Sequence, residues 1–262
     1  MKKASRGIID ENMKYFRSGF FDIGGQKLYV SRTGFTNELG FEIFSDGLKT
    51  DHLALWDHLM ECGKPFGMEF SASRAMTIRR IEGGIFGNLT DIDTSMTPFE
   101  AGLGLFVNMD KSDFIGKDSL KEKDKRTCLF GLTCEKAVPA AGSKVILKNK
   151  IVGYVTAGVP SPTLQIGIGY VRFYEPDSWI GQDLLLELPG GDFYEAKVVN
   201  LPFIDLEKKG KKVYPSAKTL QIIQNKSDQK DFYKNNNLPT SGFKNYSNLD
   251  ELKQNFKKDN FQ

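Results

Sequence analysis

The sequence predicts an α+β chain with an α/β domain over residues 1–120, a small antiparallel β-barrel over 126–205 and a polar, largely irregular tail over 206–262. Three observations point that way. From Arg126 to Phe203 short apolar runs alternate with turns about every ten residues, the rhythm of a barrel or sandwich. Before that, two stretches with helical periodicity follow a hairpin and a third strand. After Leu206 lysine, asparagine and serine dominate and apolar residues thin out.

Taken in order, residues 1–18 form a polar lead-in whose Ile8, Ile9, Met13 and Phe16 suit a helical turn or two. Phe20–Ile23 and Gln26–Val30 read as a hairpin turned by Gly24-Gly25. Thr50 or Asp51 caps a helix with Leu53, Trp56, Leu59 and Met60 on its apolar face and Gly63 as its stop. A second helix starts near Ser71 or Ser73 and ends at Glu82, before Gly83-Gly84. Its Arg74, Arg79, Arg80 and Glu82 suit a solvated face, with Arg79 and Glu82 spaced for a surface pair. Asp91 and Asp93 lie in the loop that follows, and turn formation by Asx hydrogen bonds explains them better than catalysis. The charged connector 111–125, with a short helix near 118–123, marks a domain boundary. The expected barrel strands are 127–133, 144–147, 151–157, 167–173, 184–188 and 194–199, with Pro160-Ser161-Pro162 forcing an extended break. Most of 207–246 reads as poorly ordered, and one tail helix is expected from the Ser247–Asp250 capping box, with Leu249, Leu252 and Phe256 on one face.

Composition excludes several classes. A net charge of +3 from 36 basic and 33 acidic residues gives no footprint for nucleic acid. No apolar run approaches the ~20 residues of a membrane helix, and the first residues lack the apolar core of a signal peptide, so a cytoplasmic protein is expected. Cys62, Cys128 and Cys134 are odd in number and show no C-x-x-C spacing, which fits reduced thiols. His52 and His58, six apart on a helix, lie about 240° around it and cannot share a metal. No metal signature is present.

The stretch 29–44, YVSRTGFTNELGFEIF, joins two strands through a loop bracketed by Gly34 and Gly40. Loops held between fixed strands tend to carry function. Glu42 stands between Phe41 and Ile43 at the start of the second strand. Alternation alone turns it to solvent. The competing reading is a carboxylate that accepts two adjacent N–H donors of a ligand.

Three stretches, SRTGFTNELGFEIF (31–44), RRIEGGIFGNLTDIDTSMTPFEAGLGLFVNMDKSDFIGKDSL (79–120) and IVGYVTAGVPSPTLQIGIGYV (151–171) with VVNLPF (198–203), resemble the glycine-cleavage T-protein, or aminomethyltransferase, family. The likeness runs from about residue 20 to 205 in the family's own order. It implies that 1–120 is the C-terminal part of a folate-binding α/β domain and 126–205 the family's barrel. By the same resemblance, Glu42 matches the glutamate that grips the pterin of tetrahydrofolate. Phe35 and Phe86 stand where tyrosines commonly line that site, and Leu105 where many members have tryptophan. Aminomethyltransferases carry an arginine six residues before the match to Glu82; a gapless count puts Met76 there, with Arg74 two residues off. The RIEGG wording at 80–84 is closer to the folate-dependent demethylases, among them dimethylsulfoniopropionate demethylase.

The resemblance implies transfer of a methyl or aminomethyl unit from an amine, sulfonium or ether to tetrahydrofolate, with proximity as the main source of rate. The expected partners are a small-molecule donor and a lipoyl carrier protein or an N-terminal partner chain. Family members usually carry roughly 150 further residues upstream, including an aspartate near the folate N5. None of Asp10, Asp22, Asp91 and Asp93 stands in that motif, so the catalytic residues are unknown and the chain is expected to be a fragment, half of a split protein or a degenerate paralogue. The alternative is a non-catalytic folate-binding or assembly module needing a partner chain. The folate half of an oxidoreductase is disfavoured, because no G-x-G-x-x-G precedes the match.

Overall fold

The computed structural model describes residues 1–9, 13–204 and 226–235, which fall into two compact units, 1–204 and 205–262. The first begins with an antiparallel sheet in the order β1-β2-β3: β1 (Ser18–Ile23), β2 (Gln26–Ser31) and β3 (Glu42–Phe44). Both turn glycines of the β1–β2 hairpin have positive φ, Gly24 at 62° and Gly25 at 83°, which only glycine adopts without a Cβ clash. One sheet face is covered. Ile23, Leu28 and Val30 pack there with Ala4, Ile9 and Leu55. In the lead-in, turns rather than the expected helical turn bring Ala4 and Ile9 into the core.

Helix α1 (His52–Gly63) starts where expected, with the Asp51 carboxylate accepting from the Ala54 N–H at 3.0 Å. Its inner face is rotated from the expected one. Leu55, Leu59 and Cys62 pack on the sheet core, whereas Leu53 is exposed and Trp56 packs edge-on against Phe70. Helix α2 (Ser73–Glu82) has no side-chain cap, and a short helix α3 (Lys117–Lys121) interrupts the charged connector.

Six antiparallel strands then close a barrel in the order β4-β7-β6-β5-β8-β9. They are β4 (Leu129–Cys134), β5 (Lys144–Leu147), β6 (Lys150–Ser161), β7 (Ile166–Phe173), β8 (Asp183–Glu187) and β9 (Phe193–Val199). Pairing of β4 with both β7 and β9 leaves no open edge. Leu132, Val145, Val155, Val171, Phe173 and Leu186 fill the interior, and Trp179 stacks on Phe173 at 4.0 Å between centroids. Strand β6 runs through Pro160 to Ser161, so the expected break begins only at Pro162.

One irregularity matters for the site. The β6–β7 register shifts between Val155 and Ala157, leaving Thr156 as the extra residue of a bulge. Val155 points into the barrel, but Ala157 and Val159 beyond the bulge point outward, towards Ile81, Leu129, Ile168 and Tyr170. This outer cluster seats the C-terminal half of α2 on the barrel wall.

In the second unit the described segment is α4 (Lys226–Asn235). It lies within 207–246, which composition marks as poorly ordered, and the helix expected from Ser247 lies outside the described residues. Among the described residues no helix is long and apolar enough to cross a membrane.

Candidate functional site

The C-terminal turn of α2 is the hub. Arg80 and Glu82 are buried, contrary to the solvated face expected of them. Arg80 Nη1 donates to Asp91 Oδ2 at 2.7 Å and to the Ile85 carbonyl at 3.0 Å. Asp91 also accepts from the Gly87 N–H at 2.7 Å and from Thr156 Oγ1 at 2.8 Å. The β6 bulge thus aims Thr156 at a carboxylate in the preceding loop. Asp91 is a buried ion-pair partner with three donors rather than a turn former. Asp93 does form the expected Asx turn, accepting from the Ser95 N–H at 2.8 Å, and also pairs with Arg172 at 3.2 Å.

Glu82 is held from the other side. Its Oε1 accepts from Ser161 Oγ at 2.6 Å and the Thr163 N–H at 3.2 Å, while Oε2 accepts from Arg79 Nη1 at 2.8 Å. Burial pushes the Glu82 carboxyl up, but Ser161, Thr163 and Arg79 outweigh it and hold the group below its ordinary value. Tyr170 completes the junction: its hydroxyl lies 3.1 Å from the Ile85 carbonyl and 3.3 Å from those of Arg80 and Ile81. Burial raises its pKa, so the phenol stays protonated and available as a donor.

The loop 32–41 rests on this hub. Arg79 Nη2 donates to Glu38 Oε1, and the Arg80 guanidinium carbon lies 5.8 Å from the Phe35 ring centroid. A Cβ on residue 83 would fall 2.3 Å from Asn37 Cβ, so Gly83 is what lets the loop approach. Phe86 meets Tyr170 edge-on at 5.0 Å, and Arg80 lies 5.9 Å from the Tyr170 centroid. Phe35 thus neighbours Arg80 and Phe86 neighbours Tyr170, the two linked by the Arg80–Tyr170 contact, with Phe35 exposed and Phe86 half-buried.

Glu42 stands apart from that aromatic pair. It is exposed at the start of β3, opposite Ser31 on β2. Thr33 Oγ1 donates to its Oε2 and also lies 3.0 Å from Ser31 Oγ. Thr33 has one hydroxyl proton, so its donation to Glu42 and its donation to Ser31 are alternatives. A carboxylate has about four acceptor positions, and Thr33 takes one. Glu42 is thus oriented and still has capacity for two donors. Register puts it on the open sheet face with Phe20, Tyr29 and Phe44, whose rings meet at 5.2 and 5.9 Å. An open cleft of about 440 Å³ runs along that face, bordered by Lys27 and Lys49. Leu105 lies elsewhere in the chain, exposed on the 3-10 turn Gly104–Phe106.

Sequence reading did not find Glu38, Thr156, Ser161 or Tyr170. Their partners lie from 41 to 90 residues away, beyond any local pattern. A larger cavity of about 670 Å³ is lined by Thr133, Asp183 and Lys197 on the barrel, with none of the family-motif residues. Among the described residues no group of His, Cys, Asp and Glu could hold a metal.

Two family models match the chain: the GCVT N-terminal domain over residues 1–111 and the glycine cleavage T-protein C-terminal barrel domain over 125–205. The chain belongs to the glycine cleavage T-protein family. The match begins at residue 1, before the likeness read from the sequence. Among curated relatives of the family, an aminomethyltransferase of Alkaliphilus oremlandii is 40% identical over 162 residues, covering 60% of this chain and 43% of the relative. A probable aminomethyltransferase of Pyrococcus furiosus is 33% identical over 230 residues, covering 78% of this chain and 57% of the relative. The crystal structure of the glycine cleavage system aminomethyltransferase T from Bartonella henselae matches with a TM-score of 0.63 at 25% identity, covering 76% of this chain and 55% of that one. The chain spans about half the length of the curated relatives it matches.

Proposed function

We propose that this chain binds tetrahydrofolate and takes part in one-carbon transfer from an amine to that folate. In this reading residues 1–120 supply folate-facing groups and 126–205 the barrel that supports them, with 206–262 a separate tail. The observation that carries the proposal is Glu42: an exposed carboxylate oriented by Thr33 and left with capacity for two more donors. Two oxygens of one carboxylate match the adjacent amino and ring N–H groups of a pterin. Tetrahydrofolate, when bound, supplies the nitrogen that receives the carbon. The chain's own part is positional. Glu42 anchors the pterin, Phe35 offers a ring supported by Arg80, and Phe86 backs that support through Tyr170. Leu105 offers an apolar surface in place of a flat ring.

The names of the relatives favour an aminomethyl donor, and the family resemblance implies a lipoyl carrier protein as the partner that brings it. The wording Arg80-Ile81-Glu82-Gly83-Gly84 is what keeps a sulfonium or ether donor, as in the demethylase-like branch, as the competing class. The test is to incubate the protein with tetrahydrofolate and each donor class and to follow the folate by mass spectrometry. A one-carbon folate formed from the amine alone supports the proposal; one formed only from a sulfonium or ether moves the chain to the demethylase branch. A second reading, a folate-binding or assembly module without catalysis of its own, is favoured by the open ladder of Phe20, Tyr29 and Phe44. Folate binding without turnover of any donor selects it.

A further inference from the structure

Residues 33–41 have no backbone–backbone hydrogen bond to another described residue, and Leu39 at the tip is exposed. Such a segment takes its position from side chains. Arg79 is placed to impose one. Its guanidinium is shared between Glu82, which Ser161 and the Thr163 N–H tie to the end of β6, and Glu38 in the loop. The two carboxylates differ in surroundings: the Glu82 side chain is 2% exposed and that of Glu38 39%. One end of the bridge is therefore fixed in the barrel junction and the other grips a half-exposed surface loop, whose Glu38 carbonyl also accepts from the Tyr15 hydroxyl at 3.3 Å. A planar guanidinium holds both acceptors in one fixed fork, whereas an ammonium is a point charge on a flexible stem.

We propose that Arg79 is a positioning residue, clamping the 32–41 loop to the barrel so that Glu42 and Phe35 are presented to the ligand. This rests on the folate reading above for the identity of the ligand, but not for the clamp itself. The proposal reaches beyond the surface pair that the spacing of Arg79 and Glu82 suggests, because the functional partner is Glu38, 41 residues away in sequence.

The experiment compares the full chain with Glu38→Gln, Arg79→Met and the double variant, reading amide hydrogen exchange of residues 33–41 and tetrahydrofolate affinity. Glu38→Gln leaves Glu82 paired, so it tests the clamp without unpairing the buried carboxylate. Loop exchange is expected to rise about fivefold in each single variant, the upper range for a half-exposed ion pair, with barrel-strand exchange unchanged in Glu38→Gln. Folate affinity is expected to fall by a similar factor, and the double variant to be no worse than Arg79→Met, as coupled residues require. Unchanged loop exchange in Glu38→Gln overturns the clamp, even if affinity falls, because Glu38 then touches the ligand directly. Faster exchange with unchanged affinity also overturns it, since the loop is then not part of the site. Faster exchange in a protein whose wild type binds no tetrahydrofolate supports the clamp and removes the folate reading.

Discussion

Asp91 and Glu82 are both buried acids, and each is tied to a strand far along the chain. Asp91 shares a desolvated pair with Arg80, so removing one partner leaves an uncompensated charge. Asp91→Ala is expected to lose about 3–5 kcal/mol in chemical denaturation. Glu82 links stability to pH. Its carboxyl sits below the ordinary value of 4.5, so its contribution is present above that pH and lost as pH falls through the folded value. Stability measured against pH is expected to drop below about 4.5, and Glu82→Gln to flatten that drop while lowering stability at neutral pH. The cysteines give a third check. Cys128 and Cys134 are buried, and burial with Glu100 nearby raises the Cys128 thiol further, whereas Cys62 is half-exposed. Thiol labelling of the native protein at neutral pH is expected to modify Cys62 first, with the other two reacting only on unfolding.

At the scale of elements, Gly83 ends α2 where the loop lies against it. Gly83→Ala is expected to displace Asn37 and weaken ligand binding more than it lowers the melting temperature, because the clash falls on a surface loop. Much of this level was legible. The hairpin, the Asp51 cap, the span of α2 and the strand at Lys144–Leu147 all follow from local chemistry, since turn glycines, caps and alternation act over a few residues. The inner face of α1 was not legible, because Leu55 is chosen over Leu53 by Ala4 and Ile9, folded back from the start of the chain. The bulge at Thr156 was equally hidden. It turns Ala157 and Val159 outward into a cluster with Ile81, Leu129, Ile168 and Tyr170, residues far apart in sequence.

For the whole molecule, the motif stretches 31–44, 79–120 and 151–171 converge on one junction: α2 is packed on the barrel, and the loop is packed on α2. Resemblance singled out Glu42, Phe35 and Phe86 as candidates; the side chains that contact them, Thr33, Arg80 and Tyr170, became visible only in the fold. In the proposed reading Glu42 holds the pterin. The most direct test is calorimetric binding of tetrahydrofolate to the wild type beside Glu42→Ala. Loss of a charge-assisted, two-point contact is expected to cost about 2–3 kcal/mol, roughly 30- to 150-fold in affinity. Equal affinity in the two proteins would contradict the account and leave Glu42 as the solvent-facing residue that strand alternation alone describes.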